Sequence, residues 1–147
     1  MISIDQVKKL REETEVSVGE CRKALLEAKG DFGKAKEILR KMGKELAEKK
    51  GNRETKQGII DSYIHPNKKI GVLLELNCET DFVAQSSDFK NLAHEICLQI
   101  AGYPDETSLL EQPWIKDPSK TVKNLIEECV AKLRENIVVK RSVKYEL

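Results

Sequence analysis

Over residues 1–43 the apolar positions return every three to four residues, and each series begins behind a capping signal. Ile4, Val7, Leu10 and Thr14 share a helical face behind Ser3 and Gln6. Those two have the S-x-x-Q spacing of a capping box, in which each side chain satisfies a backbone N–H that the helix start leaves orphaned. Ser17 and Glu20 repeat the spacing ahead of Cys21, Ala24, Leu25 and Ala28, and Gly30 suits a left-handed stop. Asp31 is placed to cap a third series, Ala35, Ile38, Leu39 and Met42, which the pattern ends near Gly43. Three short helices forming a small bundle are predicted for 1–43. Residues 44–57, KELAEKKGNRETKQ, hold one leucine and one alanine as their only apolar residues, and predict a solvated, charged helical linker.

At Gly58 the period changes. Ile59–His65 and Ile70–Cys78 are rich in β-formers, and Pro66-Asn67-Lys68-Lys69 between them is turn chemistry, so the pair predicts a hairpin. In its second strand Val72, Leu74 and Leu76 share one face, with Leu73, Glu75 and Asn77 on the other. Ser87 or Asp88 can cap a helix bearing Phe89, Leu92, Ala93, Ile96, Cys97 and Ile100, stopped by Gly102. A second helix is predicted from about Thr121 to Glu135, with Val122, Leu125, Ile126, Cys129, Val130 and Leu133 as its stripe. Ile137–Leu147 closes the chain as a strand, and strict alternation puts Ile137, Val139, Arg141, Val143, Tyr145 and Leu147 on one face. The order β-β-α-α-β over 58–147 predicts an α+β core of three antiparallel strands covered by two helices. Its uncovered face would carry Leu73, Ile59 or Ile60, and Val138, which motivates sheet-on-sheet pairing with a second copy.

The chain's 147 residues suit one domain or one with a small appendage. Its 26 basic and 25 acidic residues nearly cancel, which argues against a nucleic-acid binder held mainly by phosphate contacts. Residues 1–57 hold 15 Lys/Arg against 11 Asp/Glu, and 58–147 hold 11 against 14, so the asymmetry is mild. The cluster Lys49, Lys50, Arg53 and Lys56 could touch RNA, but such runs ordinarily form solvated faces. Cys21, Cys78, Cys97 and Cys129 form no C-x-x-C pair, which excludes zinc-ribbon and redox-dithiol sites and points to a reducing compartment, the cytoplasm. No apolar run approaches the roughly 18 residues of a membrane span, and acids in the first amphipathic segment read against a signal or transit peptide.

No P-loop, G-x-G-x-x-G, G-x-S-x-G or H-E-x-x-H motif is present, so the chain does not read as an enzyme, and no cofactor or metal is expected. His94 and Cys97 stand three apart on a helix, where a half-buried histidine beside a structural thiol is the expectation rather than a nucleophile pair. The segment Asn77-Cys78-Glu79-Thr80-Asp81-Phe82-Val83-Ala84 admits two readings. In one, Thr80 or Asp81 caps a short helical turn while Phe82 and Val83 fold into the core. In the other, the loop is displayed, Phe82 is an aromatic anchor for a partner's pocket and Asp81 supplies an orienting charge.

The run Glu75-Leu76-Asn77-Cys78-Glu79-Thr80-Asp81-Phe82-Val83-Ala84 resembles the central signature of the translation elongation factor Ts family. Leu10-Arg11-Glu12-Glu13-Thr14 with Cys21-Arg22-Lys23-Ala24-Leu25 is similar to that family's other signature. Gly58-Ile59-Ile60, Tyr63-Ile64-His65, Leu110-Glu111-Gln112-Pro113 and Glu135–Arg141 also look familial, so the likeness covers nearly the whole chain. The resemblance implies a guanine-nucleotide exchange factor for the GTPase elongation factor Tu. It implies an N-terminal three-helix module of ubiquitin-associated (UBA-like) type, residues 1–43, ahead of the α+β core at 58–147. It further implies that the loop Thr80, Asp81, Phe82 and Val83 enters the GTPase near its magnesium, with Phe82 as wedge and Asp81 disturbing the metal site. Arg11, Val18, Gly19 and Arg22 match the region through which the N-terminal module packs on the GTPase.

Four departures stand out. Glu15-Val16-Ser17 replaces the small residues usual after the threonine, Val18-Gly19 replaces a bulky pair, and Arg22 stands for lysine. Gly102 to Leu110 is too short for the second core half and helical hairpin of long members, so a single core is expected. A short form of this kind would recover the second half by pairing two chains. Two competing roles remain: a module that binds the GTPase without accelerating exchange, and an RNA-associated protein using the basic linker.

Overall fold

A computed structural model describes residues 2–147. Three helices come first, α1 (Ile4–Thr14), α2 (Val18–Glu27) and α3 (Phe32–Lys50). The hairpin β1 (Gln57–Ile64) and β2 (Ile70–Cys78) follows, then α4 (Asp81–Ala84) and α5 (Ser87–Gly102). A two-stranded ribbon, β3 (Pro113–Trp114) and β4 (Asp117–Thr121), leads into α6 (Val122–Leu133) and the closing strand β5 (Val138–Glu146). The class is α+β.

The first capping box forms in full: Ser3 Oγ accepts the Gln6 N–H at 3.2 Å and Gln6 Oε1 accepts the Ser3 N–H at 2.8 Å. The second forms only by half. Ser17 Oγ accepts the Glu20 N–H at 3.3 Å, but the Glu20 carboxylate turns to the Arg134 guanidinium at 2.6 Å. A charge-assisted bond to another element displaces the weaker reciprocal cap. Leu10, Cys21, Ala24, Leu25, Ala35 and Leu39 fill the centre of this bundle.

The third helix does not end near Gly43 but runs to Lys50. Gly43 is buried against α6, where a Cβ would stand 3.1 Å from Ala131 Cβ and 3.6 Å from the Glu127 carbonyl oxygen. The missing side chain serves close helix approach rather than the end of the helix. Beyond it Ala47 packs on the core cluster, so the first turns of the predicted linker lie against the core. Lys132–Glu15 (3.3 Å) and Arg134–Glu20 add ion pairs between α6 and the bundle.

The sheet is antiparallel in the order β1-β2-β5. Val72, Leu74, Leu76 and Cys78 face α5 and α6 and meet Phe89, Ala93, Ile96, Val122 and Val130 in one cluster. The cap of α5 is Ser86, whose Oγ accepts the Phe89 N–H at 3.2 Å, ahead of both expected caps, Ser87 and Asp88. Thr121 caps α6 through a box with Asn124. The ribbon was not predicted, since Asp117–Thr121 shows no apolar alternation. Fully buried Gln99 holds it, donating to Gln112 Oε1 (3.1 Å) and the Pro113 carbonyl (3.0 Å) and accepting the Ile115 N–H (2.9 Å).

Strict alternation fails in β5. Leu76 pairs with Val139 while Glu75 pairs with Arg141, so Lys140 is an extra residue at a bulge. One inserted residue reverses every later side chain. Ile137 and Val139 therefore join the core, whereas Arg141, Val143 and Tyr145 lie on the outer face. The register of β1 places Ile59 inward opposite Leu76 and Ile60 outward opposite Glu75. Ile60, Ile64, Leu73, Val143 and Tyr145 are exposed on that outer face.

Because even a Cβ at Gly43 would crowd Ala131 at 3.1 Å, Gly43→Leu is expected to destabilise the protein by about 1–3 kcal/mol, the usual cost of overpacking. Urea denaturation would show a lowered midpoint with unchanged slope.

Candidate functional site

The sharpest local feature is the exit of β2. After Cys78 the chain leaves the sheet, and Thr80, with extended backbone, caps α4 by accepting the Val83 N–H on its Oγ1 at 3.3 Å. On this single turn Val83 and Ala84 point into the core, while Asp81 and Phe82 point away. Each sequence reading captures half of this: Thr80 does cap a short helix above a buried Val83, yet the Phe82 ring is 87% exposed. A large aromatic ring this exposed, beside an acidic side chain, has the form of an interface anchor.

A turn of four residues is too short to persist through its own hydrogen bonds, and three supports hold it. Beneath it the Cys78 thiol donates to the Thr80 carbonyl at 3.2 Å. Burial, and next the negative charge of Glu135, push that thiol up to about 11. Beside it, one carboxylate, Glu135, accepts the Glu79 N–H (3.1 Å), the Thr80 N–H (3.0 Å) and the Thr80 hydroxyl (2.7 Å). In return Glu79 accepts the Asn136 N–H at 2.6 Å and the Arg53 guanidinium at 3.4 Å. Nothing local in the sequence says that Glu79 and Glu135 meet; only the fold brings them together.

Arg11, Val18 and Arg22 line one surface groove on α1 and α2, together with Ile2, Val7 and Glu12. Gly19 follows Val18 on α2, where an added Cβ would meet nothing within 4 Å. Ile4, expected on the buried stripe, is exposed on α1. Of the basic cluster, Arg53 is engaged with Glu79 and Lys56 with Glu54 at 3.2 Å. His94 is exposed rather than half-buried, and the Cys97 thiol is buried, pushed up to about 12 chiefly by that burial. Among the described residues no group of three or more His, Cys, Asp or Glu is placed to hold a metal ion, and no helix is long and apolar enough to cross a membrane.

The sequence profile of the family described as "Elongation factor TS" matches residues 79–147, a stretch that includes both halves of the clasp around Thr80. Elongation factor Ts of Thermoanaerobacter sp. strain X514 is 42% identical over 193 aligned positions, covering 99% of this chain and 95% of that protein. The Coprothermobacter proteolyticus elongation factor Ts is likewise 42% identical, covering 99% and 98%. That of Thermotoga petrophila is 41% identical, covering 99% and 96%. Alignments of 191 to 193 positions against a chain of 147 residues mean that these relatives carry residues with no counterpart here.

The buried thiols have a consequence for stability. Burial raises Cys78 to about 11 and Cys97 and Cys129 to about 12, from 9.0. The folded chain then holds protons that the unfolded chain releases, so stability is full below pH 9 and falls as pH rises from 9 toward 12. Urea midpoints measured from pH 8 to 10.5 are expected to decline only above 9, and less steeply in Cys129→Ala.

Proposed function

The chain belongs to the elongation factor Ts family, and on that premise we propose that it is a guanine-nucleotide exchange factor for elongation factor Tu, working in the cytoplasm during translation elongation. The observation that carries the reading is Phe82, an aromatic ring held in solvent next to Asp81 on a turn whose other residues are buried or bonded. In this reading Thr80, Asp81, Phe82 and Val83 form a tip that reaches the GTPase near its magnesium. Phe82 wedges into an apolar gap and Asp81 disturbs the metal. Arg11, Val18, Gly19 and Arg22, on an exposed face of three helices of the UBA-like kind, make the second contact.

The mechanism is linkage rather than covalent chemistry, so no bond is made or broken and the chain is not an enzyme. A factor that binds the nucleotide-free GTPase more tightly than the loaded one weakens nucleotide by the same factor. Magnesium neutralises the diphosphate, so displacing it loosens the nucleotide. Burying one phenylalanine contributes about 1.5–3 kcal/mol, or roughly one to two powers of ten. Metal displacement and the N-terminal contact supply the remainder. The engagement of Arg53 and Lys56 by acids weighs against RNA as the partner.

A second copy of the chain is the proposed occupant of the outer sheet face. Ile60, Ile64, Leu73, Val143 and Tyr145 give it exposed apolar side chains on all three strands, with the Arg141–Glu75 pair (2.8 Å) in the same row as Ile60. A two-fold pairing buries the same patch on both copies, and gives a single-core chain two layers of core.

Phe82→Ala is expected to slow release of fluorescent GDP from elongation factor Tu by at least about tenfold, with the unfolding midpoint unchanged. Complex formation without acceleration by the wild-type chain would favour a non-exchanging module instead. Leu73→Glu is expected to turn a dimer into a monomer in sedimentation velocity at micromolar concentration; a wild-type chain that is already monomeric and fully active would remove the pairing.

A further inference from the structure

The exposed tip is only as useful as its orientation, and little within it sets that orientation. The Glu79 and Thr80 amides lie beyond the last β1–β2 pair, Gln57 with Cys78, and precede the helical bonds of α4. Left unpaired, two such donors would favour other backbone conformations that hydrate them. Both are taken by one oxygen of Glu135, and the second oxygen takes the hydroxyl of Thr80. That hydroxyl in turn accepts from Val83, so the carboxylate polarises the very cap that begins α4. Charge-assisted bonds of this kind are roughly twice as strong as neutral ones.

Glu135 reaches this place because α6 ends sharply. Arg134 adopts a left-handed conformation (φ 62°), and its N–H closes the helix on the Val130 carbonyl at 2.8 Å. Around that turn the chain makes contacts in three directions. Lys132 and Arg134 pair with Glu15 and Glu20 of the N-terminal bundle. Asn136 donates through Nδ2 to the Arg53 carbonyl at 2.8 Å, three residues beyond the third helix, and through its N–H to Glu79. Glu135 holds the tip. Five consecutive residues thus join the bundle bearing Arg11, Val18 and Arg22 to the turn bearing Asp81 and Phe82.

We propose that Glu135 is a positioning residue for exchange: its carboxylate sets the orientation of the Thr80–Val83 turn, and through Lys132–Asn136 keeps that turn in a fixed relation to the N-terminal contact face. This rests on the exchange reading of the tip. It assigns Glu135 no contact with the GTPase. Its effect is to make the bound orientation of Phe82 the resting one, so that ordering of the turn does not oppose docking. Removing the carboxylate should therefore spare the first contact, made by the N-terminal face, and impair the step at the nucleotide.

The test compares Glu135→Ala, Glu135→Gln, Thr80→Val and Phe82→Ala, each as the full chain. GDP release from elongation factor Tu is followed against factor concentration, giving a saturating rate and a half-saturation point. Amide hydrogen exchange at Thr80 and Val83 is followed in the free protein. Glu135→Ala is expected to lower the saturating rate by about tenfold, to move half-saturation less than about twofold, and to lose protection at Thr80 and Val83 while Leu74 keeps its own. Glu135→Gln, which retains one acceptor oxygen, is expected to fall between Glu135→Ala and wild type. Glu135→Ala with Thr80→Val should cost less than the two single effects combined, because both remove the Thr80–Glu135 bond, although only Thr80→Val also removes the cap on Val83.

A wild-type rate in Glu135→Ala alongside a slow Phe82→Ala would overturn the positioning role and leave the exchange reading standing. Loss of affinity with no change in the saturating rate would overturn it too, as would a loss of protection spread equally over the core. Unchanged release with Phe82→Ala sinks the reading of the tip as the exchange element, and the positioning role with it; no acceleration by the wild-type chain sinks the exchange reading itself. If Glu135→Ala does not fold, Glu135→Gln and Thr80→Val decide by the same two measurements.

Discussion

The carboxylate of Glu135 accepts three hydrogen bonds from two residues that lie 55 and 56 positions earlier in the chain, and the display of Phe82 depends on it. A single helical turn has no stability of its own. Here it is fastened from below by Val83, Ala84 and the Cys78 thiol, and from the side by Glu135. Fastening at every position but two leaves Asp81 and Phe82 outside with the direction of their side chains settled. The exposed ring is thus a product of tight packing around it rather than a flaw in that packing.

The same economy of contacts joins the two clusters of buried side chains. One is centred on Leu10, Leu25 and Cys21, the other on Leu74, Leu76, Phe89 and Ile96. The third helix belongs to the first cluster at its start and touches the second through Ala47 near its end, crossing α6 where Gly43 meets Ala131. A residue without a side chain permits close helix approach, and a long continuous helix transmits orientation better than a flexible joint would. Both proposed contact surfaces therefore sit on one framework, with the end of α6 as the shared attachment.

The bulge at Lys140 has an effect well beyond its own residue. It turns Val143 and Tyr145 outward with Leu73, Ile60 and Ile64, so that every strand of the uncovered face carries an exposed apolar side chain. With a regular strand those side chains would face the helices, and Lys144 would face solvent. The bulge thus lets one strand give the core side of the sheet its inner residues, Ile137 and Val139, and the outer face Val143 and Tyr145.

Much of this could be read directly along the chain. The boxes and caps at Ser3, Ser17 and Asp31, the hairpin with its Pro66–Lys69 turn, the stripes of α5 and α6 and the inner face Val72–Leu74–Leu76 are all local patterns, set by period and by neighbours within four residues. Thr80 as a cap was legible for the same reason, and the run around Phe82 identified the family. What the sequence could not supply were outcomes that depend on residues far apart. Gly43 reads locally as a stop and becomes a crossing point only because Ala131 lies against it. Glu20 reads as half of a capping box until Arg134 competes for it. The alternation of β5 fails through its register against Glu75 and Leu76. Whether Phe82 points in or out was undecidable from spacing, because a four-residue turn has no periodicity to reveal a face; the anchors that turn it outward come from Glu135 and the sheet, and only folding places them beside it.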